Sequence, residues 1–204
     1  MKKTILILII LIVVVGAGLT FYFLNQNKNS NSKETVNLPK LEEMTNTPES
    51  TTDLYVGDDF TIIRPKDWIQ TQIQSTLVSF QNPNEKYQEG SAASKINFKS
   101  YIAVSFDNTQ GKTFEEIAKL VKQQIQAVVP SVSFGSETDE MIDGQPAKII
   151  EADLSQQDVD FKVLMAVIMK DDKYFTVSAN TTAQKWTEYN EIFYDTFRSF
   201  KFKK

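Results

Sequence analysis

The chain has 204 residues, 22 basic and 26 acidic, for a formal net charge of −4, and contains neither cysteine nor histidine. Those two absences exclude a disulfide frame, a lipid-bearing cysteine, zinc sites built on Cys and His, and every catalytic pair that needs a histidine base or a thiolate. Setting aside Lys2 and Lys3 leaves 20 basic against 26 acidic residues, a net −6, which argues against nucleic acid as a partner because phosphate binding needs a basic face.

Residues 4–24, TILILIILIVVVGAGLTFYFL, carry no charge. As a helix they extend about 31 Å, the thickness of the hydrocarbon core. Phe21, Tyr22 and Phe23 stand where an interfacial aromatic belt sits, and Lys2 and Lys3 precede the span. That charge bias places the N-terminus in the cytoplasm and everything after residue 24 outside. Val15-Gly16-Ala17 also offers a small-residue cleavage site, so a removed signal peptide is the competing reading. The apolar run continues for seven positions beyond Ala17, which favours a retained anchor. Residues 25–52 are rich in Asn, Ser, Thr, Lys and Glu, with Pro39 and Pro48. They lack the apolar periodicity that repays ordering and read as a flexible tether.

From residue 53 onward the pattern is that of one folded domain. Phe60-Thr61-Ile62-Ile63-Arg64 reads as a strand stopped by Pro65, and residues 77–81 as a second, ended by Asn82-Pro83. Residues 84–99 are polar and read as a long mobile loop. A third strand covers 101–107. Thr113-Phe114-Glu115-Glu116 is a capping box, and Phe114, Ile117, Val121, Ile125 and Val128 follow at helical spacing until Pro130. A meander comes next, with strands over 133–141, 146–154, 160–170 and 174–179. Its turns fall at Asp143-Gly144, Gln156-Gln157-Asp158 and Asp171-Asp172. Residues 163–169 are apolar at every position, the mark of a central strand covered on both faces. A second helix over 183–197 puts Trp186, Tyr189, Phe193 and Phe197 on one face, with Thr181 or Thr182 as its cap. That spacing makes Trp186 a buried core residue whose truncation would cost about 3–5 kcal/mol. Phe200 and Phe202 alternate and read as a short closing strand.

The succession Phe60-Thr61-Ile62-Ile63-Arg64-Pro65-Lys66-Asp67-Trp68, Ser79-Phe80, Thr113-Phe114-Glu115-Glu116, Asp143-Gly144-Gln145-Pro146-Ala147 and Ser199-Phe200-Lys201-Phe202 resembles PsbP-like domains across residues 54–204. The resemblance implies an α+β fold: an α-β-α sandwich of a mainly antiparallel sheet with helices on both faces, here preceded by one transmembrane helix. It also implies a non-catalytic role, since the family spans photosystem subunits, assembly factors, a Ran-binding nuclear factor and bacterial surface lipoproteins. Metal sites proposed in plant members partly use histidine, so no metal residue and no cofactor carries over to this chain.

Other groupings have plainer readings. Asp58-Asp59, Glu137-Asp139-Glu140-Asp143 and Asp158-Asp160 fit no calcium loop and suit turns and strand edges. Ser94-Lys95 are adjacent and do not face each other as a catalytic pair would. Trp68 and Trp186 suit a core better than a ligand platform, and Asn180-Thr181-Thr182 suits a helix cap better than a glycosylation site. No residue is assigned as catalytic, cofactor-binding or metal-binding. The expected organisation is a cytoplasmic stub and anchor over 1–24, a linker over 25–52 and a PsbP-like domain over 53–204. Two functions stay open. One is a membrane-anchored extracytoplasmic binding or assembly module with a protein partner; the other is a carboxylate-based cell-envelope hydrolase.

Overall fold

The computed structural model describes residues 53–204; the expected span over 4–24 and linker over 25–52 lie outside the described residues. The strands are β1 (Leu54–Val56), β2 (Phe60–Ile63), β3 (Ile69–Thr71), β4 (Val78–Gln81), β5 (Tyr101–Asn108), β6 (Ser133–Ile142), β7 (Gln145–Gln156), β8 (Val159–Lys170), β9 (Lys173–Thr182) and β10 (Lys201–Phe202). The helices are α1 (Ala92–Lys95), α2 (Phe114–Val128) and α3 (Trp186–Arg198). Seven strands form an antiparallel sheet in the order β3-β4-β5-β9-β8-β7-β6, and β1-β2-β10 form a small second sheet. Hairpins set the register of β6 to β9. Asp143-Gly144 and Gln157-Asp158 hold φ of +51° and +74°, and +52° and +60°, the mirror-image turns that match strand twist.

β8 explains the layering. Its alternate residues Leu164, Ala166 and Ile168 pack with Tyr189, Phe193 and Phe197 of α3. The residues between them, Val163, Met165 and Val167, pack with Ile117, Val121 and Ile125 of α2. A strand interior to the sheet and apolar on both faces thus receives a helix on each side, as its composition requires. α2 begins with the expected box: Thr113 Oγ1 accepts from Glu116 N at 3.4 Å, and Thr113 N donates to Glu116 Oε2 at 2.8 Å. Lys148, buried on β7, joins α2 to β6 through Glu115 at 3.5 Å and Asp139 at 2.6 Å. The hydrogen bond to Asp139 outweighs desolvation and raises its pKa.

Several expectations are corrected. Residues 84–99 are not a mobile polar loop. Glu85, Ala93 and Phe98 are buried there, and α1 lies within the stretch. Its apolar side chains have no period, and they find cover only when folded onto Tyr101 and Ala103 of β5. Thr181 and Thr182 do not cap a helix with their side chains. β9 runs on through both, and a 3₁₀ turn at Ala183–Lys185 leads into α3 with no side-chain cap. Trp186 is only half-buried. It lies 6.3 Å from the Phe193 ring and under the Lys162 ammonium at 5.6 Å. At the first turn of α3 it reaches the margin of the core, so the full cost of burial belongs to Phe193 and Tyr189. Trp68 is buried as expected, edge-on to Tyr189 at 5.8 Å.

Candidate functional site

The described domain has two outer strands with contrasting chemistry. β6 closes one side of the large sheet and is guarded by charge. Glu137 pairs with Lys122 at 2.5 Å, Asp139 with Lys148 at 2.6 Å and Glu140 with Arg198 at 3.6 Å, and the strand is bulged between Phe134 and Glu137. Acids and a bulge are the usual means of keeping another strand from adding to an edge.

β1 has no such guard. It pairs only with β2. Arg64 N donates to Asp53 O at 2.7 Å and Gly57 N to Phe60 O at 2.8 Å. By the alternation of an antiparallel ladder, Asp53, Tyr55 and Gly57 therefore turn their main-chain groups toward β2, and Leu54 and Val56 turn theirs outward. The same two residues present their side chains to solvent, at 45% and 58% exposure, beside Ile63 at 49%, which is the register partner of Leu54. Tyr55 points the other way, 5.8 Å from Phe60 and 6.0 Å from Phe80. A groove of about 350 Å³ follows β1, lined also by Arg64, Gln70 and Phe80, with Asp53 and Arg64 paired across it at 3.5 Å. Unpaired main-chain groups flanked by exposed apolar side chains are what an added strand of another chain would use.

A second polar feature sits at the far end of β5. Glu85, 4% exposed, is the only buried acid among the described residues. Its carboxylate accepts from Ser100 N, and Ser100 Oγ lies 2.9 Å from Glu85 Oε1 and 2.7 Å from Thr181 Oγ1. Lys99 donates to the Glu85 carbonyl, and Asn82 Nδ2 donates to Tyr189 OH at 2.8 Å. Burial, reinforced by the charge of Glu85, pushes the Tyr189 phenol well above its usual range; burial does the same to Tyr87. This node fastens the stretch carrying α1 to β9 and α3. Nothing in the sequence marks it, since Glu85 lies in a polar run.

The acidic groups singled out from the sequence are dispersed. Asp59 pairs with Lys173 at 3.2 Å, Asp160 accepts from Ser155, and Asp143 Oδ2 accepts from Phe202 N at 2.9 Å. Ser94 and Lys95 stand on α1, where Ser91 is the residue that caps. Glu191 and Asp195, which share a depression on α3 with Tyr194 and Arg198, are both exposed. An acid that must stay protonated needs burial beside a second carboxylate. The one buried acid instead serves as an acceptor for Ser100, so the hydrolase reading finds no support.

The architecture, an antiparallel sheet with few helices, defines a PsbP-like fold. The chain belongs to the PsbP family, whose model matches residues 52–202. Among solved structures, cyanobacterial PsbP (CyanoP) from Synechocystis sp. PCC 6803 is similar at 15% identity and a TM-score of 0.57, over 78% of this chain and 98% of that one. LpqN of Mycobacterium tuberculosis, described as involved in cell envelope biogenesis, is similar at 8% identity and a TM-score of 0.58, over 72% and 86%. At these identities the likeness shows the fold alone. Comparison with curated proteins finds no match.

Proposed function

We propose that this protein is a membrane-anchored, extracytoplasmic, non-catalytic binding module that holds an extended segment of a protein partner along β1. The observation that carries the reading is the coincidence, at Leu54 and Val56, of outward main-chain groups and exposed apolar side chains on an unguarded edge. The β6 edge, by contrast, is closed by paired charge. Family membership supports a binding role, and the apolar run over 4–24 supports the anchor. β1 begins two residues after the expected tether, so a partner bound there would meet the domain where it joins its leash.

The anchor is tested by fractionation. The mature chain is expected to keep residues 1–24 and to remain in the membrane pellet after carbonate washing. Protease added from outside is expected to cut within 25–52 and release an intact domain. Mass spectrometry that finds a mature N-terminus near Gly18, or a domain resistant to release, would refute the anchored topology.

A further inference from the structure

The α2-side face of the large sheet changes character between β8 and β9. Directly paired residues share a face, so Tyr174, Thr176, Ser178 and Asn180 of β9 lie on the face of Met169, Val167, Met165 and Val163 of β8. β8 carries only apolar groups here, under α2. β9 carries a hydroxyl or an amide at every alternate position from Tyr174 to Thr182, all buried. Tyr174 OH, Thr176 Oγ1 and Asn180 Nδ2 have no hydrogen-bond partner within the protein, and neither does Gln124 Oε1 on α2. A buried polar group left without a partner lowers stability. A valine at 176 would occupy the same volume without that penalty, as Val167 does next to it. A row of such groups on an interior strand has a use other than holding the fold together.

We propose that this row is the wall of a binding site for a neutral, hydroxyl-rich ligand, a short oligosaccharide. From Thr176 to Thr182 the row contains donors and acceptors and no ionised side chain, which suits a ligand without charge. Successive groups on one face of a strand are about 7 Å apart, so these four positions extend about 20 Å, long enough to line several sugar rings. At the Asn180 end, Phe98 meets Phe161 at 4.9 Å and Tyr101 at 6.3 Å, an aromatic group of the kind that lines pockets beside a few placed polar atoms. A peptide suits the row less well. The main chain of β9 is already paired with β5 and β8, so only side chains are offered, and these match a polyol. Entry is by displacement of the stretch carrying α1, which covers Tyr101 and Ala103 through Ala93 and Phe98. The site does not involve β1, and it stands or falls apart from the docking surface there.

The test uses the full chain in nanodiscs of neutral lipid, free of sugar-based detergent, with chitotetraose and maltotetraose as probes. Calorimetry and saturation-transfer NMR are expected to show saturable binding of at least one of the two. Binding should weaken at least tenfold in Thr176→Val and in Ser178→Ala, with melting temperatures equal to or above that of the parent, and persist in Val56→Lys. Four results overturn the proposal: no saturable binding of either probe at millimolar concentration; affinity unchanged in both row variants; equal binding of an acidic tetrasaccharide; or binding only after deletion of residues 25–52, which would assign the row to the chain's own segment.

Discussion

Replacing Phe193 by alanine is expected to lower the unfolding free energy by about 4 kcal/mol, within the range for a fully buried large aromatic. Phe193 is wholly buried on the inner face of α3. Its ring lies 5.8 Å from Tyr189, 6.4 Å from Trp68 and 6.3 Å from Trp186, and it packs over Leu164, Ala166 and Ile168 of β8. Removing it opens a cavity that a sheet on one side and a helix on the other cannot collapse to fill. Trp186→Ala, at the margin of the same cluster, is expected to cost about 2 kcal/mol, roughly half the range for full burial. Urea unfolding followed by circular dichroism measures both. Equal losses, or a loss below about 1 kcal/mol for Phe193→Ala, would contradict the placement of α3. Against a total stability of about 5–15 kcal/mol, the expected loss leaves a marginal fold.

Glu85→Ala is expected to cost about 3 kcal/mol, because it strands donors that are buried with it. Ser100 N and Ser100 Oγ both lose their acceptor, and the segment carrying α1 loses its tie to β9. Glu85→Gln keeps one acceptor oxygen and is expected to restore part of the loss. Amide hydrogen exchange should show faster opening of residues 84–99 in the alanine variant while β7 and β8 stay protected. Uniform loss of protection across the sheet would show that the node is part of the global core and not a local clasp.

The elements legible in the sequence were those with a long period or strong local chemistry. The capping box at Thr113, the both-faces-apolar run of β8 and the turn at Asp143-Gly144 each prescribe their own geometry. The antiparallel order of β6 to β9 follows from those turns. β1 and β3 have three residues each, too few to display a period, and β1 proved to carry the candidate site. The buried role of Glu85 depends on Ser100 and Thr181, 15 and 96 residues away in the chain, a pairing that only the folded sheet creates. The threonines at 181 and 182 have cap-like chemistry, but the pull of the β8 ladder extends β9 through them. Tertiary pairing overrode a local preference there, as it did at Trp186, where the helical spacing was right and the depth was not.

The docking of a partner on β1 is tested most directly by a photoreactive amino acid placed at Val56 in the full chain and irradiated in native membranes. The account predicts a discrete protein adduct that is lost when Leu54→Lys is added, with the fold unchanged by circular dichroism. The same probe at Glu191, on the exposed side of α3, should give no such adduct. Absence of any adduct at Val56, or the same adducts from Val56 and Glu191, would contradict it.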